Sequence, residues 1–165
     1  FRSSDHDPVL VGLDLTPRPE VLKENAVLEM SALLPSGDRN TDKRLEKAID
    51  YVEASLNPDW WTAEDTIVDK KVFDAERNAI AQLVLITEDD VVEAEEAMWA
   101  IRMLLNADRW LAQVELAAAI DRGGRESKIA DAYAALDDAA AYISAGMYVD
   151  AVNAYKAAWD AAHKA

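Results

Sequence analysis

Residues 41–56 read TDKRLEKAIDYVEASL. Leu45, Ala48, Ile49, Val52 and Leu56 recur at the i, i+3, i+4, i+7 and i+11 spacing that gathers apolar side chains on one face of a helix. Glu46, Lys47, Asp50 and Glu53 fall between them and give the opposite face to water. Asn57-Pro58 ends the pattern, because proline disfavours helical backbone in the residue before it. One strongly amphipathic helix of this kind has to bury its stripe against others, and the rest of the chain supplies them.

Working outward, a helix is predicted over about residues 20–34, stopped by Pro35-Ser36-Gly37. After an irregular stretch holding Trp60 and Trp61, another is predicted over 69–86, with Val72, Phe73, Ile80, Leu83 and Val84 inward. Thr87 with Asp90 reads as a capping-box variant. It opens a long helix to about residue 120, through Val91, Met98, Ile101, Leu105 and Val114. Gly123-Gly124 breaks the chain, and two more helices follow over 126–145 and 148–163, hinged at Gly146. The expected fold is all-α: an antiparallel bundle of about six helices, or a set of stacked hairpins. In the final pair, Ala140, Ala141, Gly146, Tyr148, Ala151 and Tyr155 resemble the small-and-aromatic spacing of a tetratricopeptide hairpin. No 34-residue period extends through the chain, so two Ala-rich helices in close contact are the plainer reading.

The chain has 165 residues and 51% apolar content, enough for one domain with a core. Its net charge of -15 opposes direct nucleic-acid binding and adsorption to anionic membranes, since both require a basic surface. The same charge suits a well-solvated surface or a cationic partner. Asp outnumbers Glu and lysine is sparse, a balance common in proteins from saline surroundings. Without cysteine there is neither a disulfide nor a zinc-thiolate site. No run of about 18 apolar residues marks a membrane span. The chain opens on Phe1-Arg2 rather than Met, so a longer parent protein is expected.

The N-terminal stretch differs from all this. Residues 8–15, PVLVGLDL, alternate as a strand does, with Val9, Val11, Leu13 and Leu15 on one face. Thr16-Pro17-Arg18-Pro19 then forms a linker. The organisation expected is therefore 1–15, 16–19 as linker, and 20–165 as the helical domain. A lone strand with unpaired edges is expected to pair with, or pack on, another molecule, leaving no β-sheet within the monomer.

Ser4-Asp5-His6-Asp7-Pro8-Val9 is the most chemically pointed motif. With Arg2-Ser3 before it and a hydrophobic strand after it, FRSSDHDPVLVGLDL resembles the last motif of the endonuclease/exonuclease/phosphatase superfamily, in the form found in secreted bacterial nucleases. The resemblance implies that His6 contacts the scissile phosphate or acts in acid/base chemistry, and that Asp5 helps hold the metal site. It also implies Mg²⁺ or Mn²⁺ in the parent catalytic domain, which would then be the bundle's first partner. The superfamily's metal-binding Glu and Asn-bearing loops have no counterpart here, so no complete site is expected in this chain and none of its own cofactors. The bland alternative is a polar loop before a strand.

The stretch LLPSGDRNTDKRLEKAIDYVEASLNPDWW, with KKVFDAERNAI further on, resembles an uncharacterised helical region at the C-termini of large exported bacterial and archaeal proteins. This implies an extracellular or cell-surface location and an accessory role in attachment, spacing or protein contact. The alternative is an independent helical interaction module of a cell-surface protein with no nuclease role.

Two weaker constellations remain. Asp38, Asn40 and Asp42 stand at the alternate spacing of a Ca²⁺ loop, but Lys43 replaces the turn glycine and Ile49 the closing carboxylate. Helix capping by Asp38, Asn40 or Thr41, with Asp42 at the positive dipole end, explains the same residues. Trp60 and Trp61, in an acidic segment, could grip a sugar or a cationic partner, or could pin the loop onto the bundle.

Overall fold

A computed structural model describes residues 18–62, 66–89 and 91–165. The expected strand over 8–15, the motif carrying Asp5 and His6, and the first half of the linker lie outside the described residues. The described chain is an all-α bundle. Its helices are α1 (Pro19–Ala32), α2 (Arg39–Ser55), α3 (Lys71–Thr87), α4 (Ala94–Asp121), α5 (Glu126–Ser144) and α6 (Tyr148–His163), with a single 3-10 turn at Pro58–Trp60.

The stripe of residues 41–56 becomes the inner face of α2, where Thr41, Leu45, Ala48, Val52 and Ser55 are buried. It packs chiefly on α3, whose Val72, Phe73, Ala79, Ile80, Leu83 and Ile86 are buried in turn. The long α4 lies against α1, α3 and α6, and α5 packs along α6 with only sparse contact to α4. One continuous core joins Met30, Leu45, Phe73, Ile80, Leu104, Tyr155 and Trp159. A smaller cluster of Leu116, Ala119, Ala132 and Ala162 closes the end nearest the α4–α5 turn.

The turns follow from local chemistry. Gly123 (φ +69°) ends α4, its N–H donating to the Ile120 carbonyl while Gly124 N–H donates to that of Ala119. Gly146 (φ +74°) ends α5 in the same way, with Gly146 N–H to Ile143 and Met147 N–H to Tyr142. This paired closure uses the carbonyls that a helix C-terminus leaves over, and it requires a left-handed residue that glycine adopts without strain. Gly124 is also hemmed in, since a Cβ there would meet the Ala119 carbonyl at 2.8 Å and Ala165 Cβ at 2.9 Å. Beside it, Arg125 N–H donates to the Ala165 carbonyl at 3.0 Å, clasping the α4–α5 turn to the end of α6.

Two expectations need correction. The long helix does not begin at Thr87 but at Ala94. The Thr87 hydroxyl donates back to the Val84 carbonyl at 2.8 Å, finishing α3 rather than opening α4, and Asp90 lies outside the described residues. Within the last hairpin, Ala140 and Ala141 face solvent. Ala151 and Tyr155 of the same expected set are buried, and Ala132, Ala139, Ala158 and Ala162 join them.

Among the described residues there is no strand, only an isolated antiparallel bridge between Trp61 and Ile67. No helix among them is long and apolar enough to cross a membrane.

Candidate functional site

Three charged residues sit on the buried stripes of three different helices. Lys23 of α1, Glu76 of α3 and Asp108 of α4 each have no exposed surface. Lys23 follows Pro19 and precedes Ala26 and Met30 on the inward face of its helix. Glu76 lies between Phe73 and Ile80, and Asp108 between Leu105 and Leu111. The fold therefore brings one ammonium and two carboxyl groups together in an apolar interior.

Lys23 Nζ forms an ion pair with Glu76 Oε1. One ammonium neutralises one carboxylate, which leaves the second carboxyl to be accommodated. Burial, followed by the charge of Glu76 and a hydrogen bond with it, pushes the Asp108 carboxyl well above the usual carboxylate range, with only Lys23 opposing. Apart from Glu76, no described residue offers either Asp108 oxygen a hydrogen bond. Two carboxyl groups share a hydrogen bond when one of them keeps its proton. Lys23 pairs with Glu76, and burial beside that carboxylate favours the protonated form of Asp108. Such a set links α1, α3 and α4 by interactions that fit only one arrangement of the helices, and it offers no face to a substrate.

Trp61 closes the cluster from outside. Lys23 Nζ lies 4.2 Å from the centroid of the Trp61 ring. The indole N–H donates to the Ser55 carbonyl at the end of α2, at 2.7 Å. Lys71 Nζ lies 5.8 Å from the centroid of Trp60. Both tryptophans pack against the core. They pin the irregular segment onto the bundle, and the cations they meet belong to the chain itself.

Asp38 is the N-cap of α2. Its Oδ1 accepts from Asn40 N–H at 2.9 Å and Thr41 N–H at 2.8 Å. Hydrogen bonds from Thr41 and Asn40 hold its carboxyl below the usual range, against slight desolvation. Asp42 Oδ1 accepts from the backbone N–H and the hydroxyl of Ser36, each at 2.7 Å, while Asn40 is exposed. One oxygen of each carboxylate, Oδ1 of Asp38 and of Asp42, is thus taken up by N–H and O–H donors. Among the described residues no group of three or more His, Asp or Glu could hold a metal ion. His163 stacks on Trp159 with ring centroids 4.6 Å apart, its Nδ1 3.3 Å from Glu115.

The outer side of Trp61 faces a groove between α1 and α2. Its walls are Glu20 and Glu24 on one side and Leu56, Pro58 and Thr62 on the other, enclosing about 420 Å³. It continues over Val27, Leu28 and Glu53 for about a further 370 Å³. A second groove, between α4 and α5, is lined by Arg109, Gln113, Tyr133, Leu136, Ile143 and Tyr155 among others, and encloses about 440 Å³.

Sequence reasoning missed the buried triad, although its signal was present. Lys23, Glu76 and Asp108 each fall on an otherwise apolar stripe, two acids and one base in total. No protein-family model, no curated protein and no solved structure matches this chain.

Proposed function

We propose that the helical bundle is a non-catalytic accessory module of an exported, metal-dependent nuclease or phosphodiesterase, serving attachment, spacing or protein contact. The observation that carries this reading is where the chemistry lies. The described bundle's one fully buried group of ionisable side chains, Lys23, Glu76 and Asp108, is turned inward, helix to helix, beneath Trp61. The residues typical of phosphodiester chemistry, Asp5 and His6, precede α1. The expected Mg²⁺ or Mn²⁺ belongs to the parent catalytic domain, as does the substrate. The net charge of -15 supports contact with proteins rather than with nucleic acid.

A second reading, an interaction module independent of any nuclease, draws on the same groove-bearing surface and acidic charge. A metal-binding Glu motif in the protein upstream of Phe1 would select the first reading. The direct test is hydrolysis of DNA and of a bis-aryl phosphate by the 165-residue chain in Mg²⁺ or Mn²⁺. No turnover is expected. Metal-dependent cleavage abolished by His6→Ala would overturn the assignment.

A further inference from the structure

The α1–α2 groove combines an apolar floor with carboxylates and has no basic residue in its lining. Val27, Leu28 and Leu56 supply the floor, and Leu28 is 66% exposed. Glu24 and Glu53 stand on opposite helices across it, both exposed. Trp61 forms one end wall. On α1 the residues facing the groove, Glu20, Glu24, Val27 and Leu28, recur with helical period on the side away from the buried Lys23 face. The α1 helix is therefore amphipathic inward and carries a second, part-apolar face outward. Its 14 residues make a track about 21 Å long.

We infer that this groove docks a basic amphipathic helix of a partner protein, with leucine-like side chains over Leu28 and Leu56 and Lys or Arg side chains meeting Glu24 and Glu53. Charge selects this occupant over the two others at hand. A second copy of the chain would bring together two molecules of net charge -15. The chain's own first 17 residues contain one Arg against three Asp, a net -2, and would set like charge against the groove. A basic helix meets both requirements. Its apolar face covers surface that is costly to leave wet, and its cations meet Glu24 and Glu53, for which no ion pair occurs among the described residues.

This inference rests on the reading of the bundle as a protein-contact module and narrows it to one surface and one partner class. The test uses the intact chain and a fluorescein-labelled peptide of about 14 residues, matched to the length of α1, with a leucine stripe flanked by lysines. Fluorescence anisotropy follows binding, circular dichroism checks that each variant is folded, and sedimentation follows self-association. Leu28→Asp and the pair Glu24→Lys/Glu53→Lys are each expected to weaken binding by about tenfold or more. The pair Asp131→Lys/Asp138→Lys on the distant α5 should change it by less than about twofold.

Unchanged binding in the groove variants would overturn the assignment, as would an equal loss in the α5 variant, which would mean attraction to the whole charge. Equal binding of a scrambled peptide without the stripe, or displacement by tetramethylammonium, would overturn the helix as occupant. A dimer abolished by Leu28→Asp would give the groove to a second copy instead. Each of these outcomes leaves the accessory role standing, because that role is tested by catalysis rather than by this groove.

Discussion

The Trp61 ring lies over the Lys23 ammonium, 4.2 Å from centroid to nitrogen, and covers the buried charged cluster from outside. The tryptophan comes from an irregular segment with little secondary structure of its own, so its position depends on that cation and on the Ser55 carbonyl. Trp61→Ala removes the cover, the cation–π contact and the indole hydrogen bond together. We expect a loss of about 3 kcal/mol in urea denaturation. Trp61→Phe keeps a ring over Lys23 but not the N–H, and should lose about 1 kcal/mol. Equal losses in the two variants would show that the ring contributes nothing beyond the hydrogen bond.

Lys23→Met strands Glu76 beside Asp108 without its counter-ion. Breaking a buried pair from one side costs about 3–5 kcal/mol, and that is the expected loss. The triple replacement Lys23→Met/Glu76→Leu/Asp108→Leu removes all the buried charge at once. It should recover at least the native stability, because desolvated charges contribute less to stability than apolar packing of similar volume. Thermal melts of the two variants, side by side, decide the matter. A triple variant as unstable as Lys23→Met would mean that the cluster is needed for the fold itself.

The raised Asp108 carboxyl is expected to make stability depend on pH. Below the ordinary carboxylate range, folded and unfolded chains both hold the proton, and the group makes no difference. From about pH 4 upward the unfolded chain releases a proton that the folded chain retains, so stability falls as pH rises toward the raised folded value. Glu76 reinforces the shift and Lys23 opposes it. Asp38, Asp69 and Asp160, all held below the usual range, act in the opposite sense at more acid pH. Asp108→Asn cannot ionise, so its melting temperature should exceed the native value by more at pH 8 than at pH 4.5. Parallel pH profiles for the two proteins would rule out Asp108 as the source.

At the α4–α5 turn, Gly124→Ala drives a methyl into the Ala119 carbonyl and Ala165. Backbone cannot yield as a flexible side chain does, so a loss of about 1–3 kcal/mol is expected. Hydrogen exchange should show the Arg125 amide, which donates to Ala165, losing protection first. A variant with native stability would mean that the clasp opens freely.

The apolar stripes were legible because burial imposes a period on them. Leu45, Ala48 and Val52 read as one face in the sequence and are one buried face in the fold. The α3–α4 junction was not legible at the level of Thr87, because a threonine hydroxyl can close the helix behind it or cap the one ahead, and local spacing does not distinguish the two. The Asp38 cap was readable as one of three candidates, and the structure selects it by the two N–H groups that donate to it. In the last hairpin Ala151 and Tyr155 were legible as inward, whereas Ala140 and Ala141 were not legible as outward, because an Ala-rich helix is nearly the same on all sides and composition gives no phase. The triad could not be assembled from sequence at all. Lys23, Glu76 and Asp108 lie on separate helices, and only the packing of α1 and α3 against α4 makes them neighbours.

The sparse contact between α4 and α5 has a consequence for motion. With α6 as its main support, α5 cannot be more resistant to opening than the α5–α6 contact itself. Its amides should exchange with solvent deuterium through the lifting of a single helix, with α6 still seated on α3 and α4. The bundle would then open in two cooperative steps, the outrigger first and the triad-bearing helices α1, α3 and α4 last.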